Sequence, residues 1–183
     1  MAADEFSQLV DAHYQALFRF ALSLAKNPSD ASDLTQQTFL IWAKRGHGLR
    51  DKSKAKAWLF STLYREFLQG RRRAGRVTAW EDLDPQEAEL PAPENDFVAG
   101  LDTGIMTEAL QELDEVFRVP LTLFCQQDLS YKEMAEVLDV PVGTVMSRLA
   151  RGKARLRAVL LDKRASIPTK AAPPLIARVG NLS

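Results

Sequence analysis

Apolar residues recur along this chain at intervals of three and four. Phe6, Val10, Tyr14, Leu17, Ala21 and Leu24 mark one such stripe, and Met106, Leu110, Leu113 and Phe117 mark another. That is the period of a helix, and no stretch of strand length alternates Val, Ile and Thr against polar residues. The pattern therefore predicts an all-α chain.

Breaks in the pattern set the helix ends. The first helix closes at "KNPSD", where Asn27 and Pro28 interrupt the stripe. A second helix is expected over residues 29–45, with Asp30 and Asp33 in its first turn and Gly46 just past its end. Ser53 is placed as the cap of a third helix that runs to Gln69 and stops at Gly70. These three helices are expected to share one core, with Phe39, Trp42, Trp58, Leu59 and Leu63 inside it. Pro120 is expected to open the helix "PLTLFCQQ". Ser130 and Glu133 then match a capping box, in which each side chain satisfies an orphan amide of the other residue.

Between the two periodic regions, "DLDPQEAELPAPEND" has three prolines, many acids and few large apolar side chains, so it cannot bury enough surface to fold alone. The chain thus divides into a helical domain at residues 1–73, a flexible acidic linker at 74–103, a second small helical domain at 104–164 and a flexible tail at 165–183.

Composition excludes several classes. With 46% hydrophobic and 26% charged residues, the chain is neither disordered throughout nor a membrane protein. No apolar run is long enough to span a bilayer, and the start "MAADEFSQLV" lacks the layout of a signal peptide, so a cytoplasmic protein is expected. The lone Cys125 sits among apolar neighbours and reads as core packing. His13 and His47 have no metal-ligand spacing around them. No metal, no cofactor and no catalytic set is expected, and the chain is not read as an enzyme.

The formal net charge of zero conceals a segregation of charge. Residues 50–76 carry nine Lys and Arg against Asp51 and Glu66, whereas residues 77–117 contain no Lys or Arg at all. The segment "VGTVMSRLARGKARLR" is basic again. Two cationic modules joined by an anionic strap suggest two contacts with a polyanion.

The second module carries the sharper signal. From Ser130 to Lys153 the order is short helix, tight turn, second helix, with small Ala135 where the helices cross and Val140 and Val145 between them. If Val145, Leu149 and Leu156 face the core, then Thr144, Ser147, Arg148 and Arg151 project from the front, where a major groove would admit them. Lys153 continues the basic side. Charge alone would describe only a solvated face, but cap, crossing residue, turn and basic exit together point to DNA.

These residues resemble a family. "LSYKEMAEVLDVPVGTVMSRLARGKARLR" is similar to the fourth region of the extracytoplasmic-function (ECF) sigma factors of bacterial RNA polymerase, and "DASDLTQQTFLIWAK" with "AWLFSTLYREFLQGRRR" is similar to their second region. The resemblance covers residues 6–73 and 106–163. It implies that Asp33, Gln36, Gln37, Thr38 and Phe39 lie in the segment that docks on the beta-prime clamp helices of core RNA polymerase, with the beta flap as a further contact. It also implies that Lys54, Lys56, Tyr64, Arg65, Arg71, Arg72 and Arg73 lie on the minus-ten promoter element, cations meeting phosphates while Tyr64 or Trp58 supports stacking. The recognition helix would take the minus-thirty-five element. An anti-sigma factor, often membrane-tethered in the family, is an expected partner. The linker would thread through the polymerase channel, where its acids either imitate a nucleic-acid backbone or simply keep a spacer extended. Three departures bear on specificity: Gln37 replaces the usual Glu, Glu66 the common Asn and Met146 a common Lys. The competing reading is a stand-alone helix-turn-helix regulator of duplex operators.

Overall fold

A phenylalanine-rich stripe organises the first helix. The structure, a computed structural model, describes residues 3–46, 49, 51–75, 103–127 and 129–166. In α1 (Ala3–Ala25), Leu17, Phe20, Ala21 and Leu24 are buried. Fully burying one large side chain of this kind stabilises a fold by about 1.5–3 kcal/mol. The helix ends on Lys26, left-handed at φ 56°, whose amide donates to the Leu22 carbonyl at 2.9 Å. Asn27 then starts α2 (Pro28–Arg45) by accepting from the amides of Ser29 and Asp30 at 2.8 and 3.3 Å. Pro28 fits because the first helical position needs no N–H donor. Asn27 and Pro28 thus begin the next helix as well as closing the stripe before it.

Gly46 does follow α2, but its φ of −66° is ordinary. It is needed for room: a Cβ there would stand 2.4 Å from the Trp42 ring.

An expected start and an expected stop move. The cap before the third helix is Asp51, which accepts from the amide and hydroxyl of Ser53 at 3.0 and 2.6 Å and opens a 3-10 turn, Lys52–Lys54. A carboxylate accepts both bonds at once, which leaves Ser53 as a donor. From there α3 (Ala55–Arg73) runs straight through Gly70, and Gly75, with φ at +67°, turns the chain just past its end. A glycine inside a helix costs only about 1 kcal/mol, which does not terminate it.

The second half begins with α4 (Thr103–Glu112) and α5 (Glu115–Gln127), separated by a bend at Leu113 and Asp114. The Asp114 carbonyl accepts from Phe117 and Arg118 at 3.0 and 2.9 Å, so α5 starts earlier than expected and Pro120 lies inside it. The capping box of α6 (Tyr131–Leu138) is present, with the Glu133 amide 3.3 Å from Ser130 Oγ and Glu133 Oε2 2.8 Å from the Ser130 amide. Asp139, left-handed at φ 54°, turns the chain into α7 (Val142–Ser166). That helix passes the expected boundary at 164 by two residues. Most of the expected linker, 74–103, and tail, 165–183, lies outside the described residues, as does His47.

The two halves do not stand apart. α1 packs on α5 and α3 packs on α6, so one buried cluster continues from Leu17, Phe20 and Phe60 to Leu121, Met134 and Leu156. Cys125 is half-buried, and burial pushes its thiol up to about 11, which keeps it protonated.

Candidate nucleic-acid interface

α7 is held to its domain by Val145, Leu149, Leu156 and Leu160, all buried. Gly152 lets α5 approach closely, since a Cβ there would lie 2.9 Å from Leu121 Cδ1. This fixes which side looks outward. Thr144, Ser147, Arg148 and Arg151 are each half-buried, while Val142 and Met146 are 40% and 39% exposed. Ser147 donates its hydroxyl to the Thr144 carbonyl at 3.0 Å. The exposed front of the first two turns is therefore more apolar than the sequence suggested. Two cations further along also make contacts within the domain. Lys153 Nζ sits 4.1 Å above the Phe124 ring and Arg155 lies 4.2 Å above Phe117, with a 2.8 Å bond to Asp114.

On α3 the expected minus-ten residues divide into two groups. Lys54, Arg65, Arg72 and Arg73 are exposed, and Lys56 is half-buried. Tyr64, in contrast, is buried against the second half of the chain at 3% exposure. Burial chiefly, and then the nearby Glu115, pushes its hydroxyl well above the ordinary tyrosine range, while Arg148 and Arg71 oppose this. Arg71 donates to both carboxylate oxygens of Glu115 at 2.6 and 2.8 Å. Residues expected on different promoter elements, Tyr64 and Arg148, thus stand close together inside the molecule. Trp58, expected in the core, is only half-buried, edge-on to Trp42 with ring centroids 5.0 Å apart.

On α2, Asp33, Gln36 and Gln37 are exposed. Thr38 is not: it is fully buried and donates to the Leu34 carbonyl at 2.8 Å, so it supports the helix and offers no surface to a partner. Leu40, which sequence reasoning passed over, is 56% exposed beside this group. The signal was available, since positions 33, 36, 37 and 40 share one helical face.

Sequence reasoning also missed a buried residue that helps join the halves. Arg118 is 3% exposed and donates to the carbonyls of Ser23 at 2.7 Å and Leu113 at 2.6 Å. Beside it, Lys26 donates to the Gln111 carbonyl at 2.9 Å. Among the described residues, no helix is long and apolar enough to cross a membrane.

Comparison with known proteins matches this arrangement. Residues 9–77 match the Sigma-70 region 2 family and residues 103–156 match Sigma-70, region 4. The chain is 36% identical over 162 residues to the ECF RNA polymerase sigma factor SigE of Mycolicibacterium smegmatis, an alignment covering 85% of this chain and 62% of that one. It is 33% identical over 164 residues to the RNA polymerase sigma factor NccH of Alcaligenes xylosoxydans xylosoxydans, covering 85% and 86% of the two chains. Its fold is similar to that of the sigma factor RpoE from Bartonella quintana, solved in complex with the anti-sigma factor NepR, with a TM-score of 0.67, 28% identity and coverage of 87% of this chain and 98% of that one. With both regions matched in order, and with relatives aligned over most of its length, the chain belongs to the ECF sigma factors, which direct RNA polymerase to promoters.

Proposed function

We propose that this sigma factor meets its partners through three faces and opens to do so. The face of α2 that carries Asp33, Gln36 and Gln37, with Leu40 beside them, docks on the clamp helices of the polymerase beta-prime subunit. The exposed cations of α3 and the preceding turn, Lys54, Arg65, Arg72 and Arg73 with Lys56, take phosphates of the minus-ten element. The outward side of α7 enters the major groove at the minus-thirty-five element, with Thr144, Ser147, Arg148, Arg151 and Lys153 along it. The observation that carries this reading is the helix-turn-helix itself: a capping box, a left-handed turn at Asp139, and a basic helix whose buried side is fixed by Val145 and Leu149.

The packed arrangement hides part of this surface. Tyr64 is buried, Arg71 is held by Glu115, and Arg148 faces Tyr64. For these three to reach DNA, α6 must leave α3. An anti-sigma factor is the natural partner of the closed form, given that the similar RpoE was solved in complex with the anti-sigma factor NepR. Once polymerase binding and promoter contact separate the halves, Tyr64 is free to stack on an unpaired base and so assist opening.

Competition for core polymerase between this chain and a labelled sigma factor tests the docking face. The Asp33→Ala/Gln36→Ala double variant is expected to compete more weakly while its helical content is unchanged. Unchanged competition would remove this face from the assignment.

A further inference from the structure

We infer that Val142 and Met146 read thymine methyl groups in the upstream promoter element, which makes Met146 a specificity-determining residue of this sigma factor. The inference rests on the α7 reading above and goes beyond it by naming the chemical group recognised. The two side chains lie four residues apart, hence on one side of the helix, and both are exposed apolar groups next to the buried row of Val145 and Leu149. A lone exposed methionine needs no explanation, but this pair occupies the part of the helix that meets base edges in a helix-turn-helix. In the major groove, the C5 methyl of thymine is the apolar group that such side chains can meet.

Gly143 points the same way independently. It is the second residue of α7, with an ordinary φ, and a Cβ built on it would meet nothing within 4 Å. Among the described residues no packing requires a glycine there, although glycine loses more conformational freedom on ordering than any other residue. A partner that comes close to the backbone at this point would require one. The surroundings fit DNA as that partner: Arg151 follows on the same helix, so a phosphate beside the groove would meet a cation.

The test uses holoenzyme reconstituted from core polymerase and the full chain. A preferred upstream element is first selected from a randomised library, and each thymine in it is then replaced by deoxyuridine, which removes only the methyl group. One or two such replacements are expected to weaken promoter binding about fourfold each, the worth of one buried methyl-sized group. With Met146→Ser, thymine and deoxyuridine promoters should bind equally at the position Met146 reads. Gly143→Ala should keep or raise the thermal midpoint of the chain and still weaken promoter binding. A selected element without thymine, or binding indifferent to every deoxyuridine while the upstream footprint persists, overturns the methyl contact alone. An upstream footprint unaffected by Met146→Ser and Arg151→Ala together overturns the assignment of α7 as the reading helix, and the methyl contact with it.

Discussion

A guanidinium buried as deeply as that of Arg118 is stable only while its donors are matched, here by the Ser23 and Leu113 carbonyls. Burial lowers its pKa, but a guanidinium begins so high that it stays charged. Arg118→Met keeps the stem and removes the donors, leaving two carbonyls unsatisfied. It should cost about 1–3 kcal/mol per carbonyl, read as a lower denaturant midpoint in chemical unfolding. Val145→Asp should unfold the second half outright, because Val145 is fully buried and an ionised carboxylate there would lose its hydration. Circular dichroism would record the loss of helix. Much at this scale was legible in the sequence, since Leu17, Leu59, Leu63, Val145 and Leu156 sit at helical spacing and are all buried. Thr38 and Tyr64 are buried for different reasons. Thr38 hides its hydroxyl by bonding back to the helix, as threonine does when buried. Tyr64 is covered by a part of the chain that lies far away in sequence.

For the elements, the capping box of α6 is both the most local signal and the most testable one. Ser130→Ala should cost about 1 kcal/mol, within the usual range for losing an N-cap. The same box makes a pH prediction. Hydrogen bonds from the Ser130 side chain and backbone hold the Glu133 carboxyl below its ordinary value of 4.5. A depressed folded pKa means that Glu133 contributes stability above that ordinary value, and that this contribution fades as pH falls through the folded one. The stability difference between the parent and Glu133→Gln should therefore shrink below pH 4.5 and be constant at neutral pH, which thermal melts across that range would measure. Serine, glutamate and a following apolar run make this start readable from sequence. Helix ends were read less well. Gly70 and Pro120 look like punctuation, yet α3 continues to Arg73 and α5 begins at Glu115, because neighbouring packing and the Asp114 carbonyl decide those ends.

In the whole molecule, the packing of α3 on α6 and α1 on α5 was not legible. A face that buries against a distant domain has the same periodicity as one that buries locally, and charge segregation speaks of a partner without excluding the chain itself. The Arg71–Glu115 pair shows this ambiguity: a cation expected on DNA is matched by an acid of the other half, and both side chains are mostly covered, at 22% and 24% exposure. Glu115→Gln should loosen the closed arrangement, increasing the radius of gyration in small-angle scattering and speeding amide exchange along α3 and α6. Identical scattering and exchange would mean that apolar packing and the Arg118 and Lys26 hydrogen bonds hold the halves together without this pair. The measurement that bears most directly on the central claim is run-off transcription with core polymerase on a randomised promoter library. Transcripts should start at discrete sites, only when core enzyme and this chain are both present, and the selected templates should share two spaced elements. Nanomolar, sequence-specific binding of duplex DNA by the chain alone, with no polymerase-dependent transcript, would contradict the account.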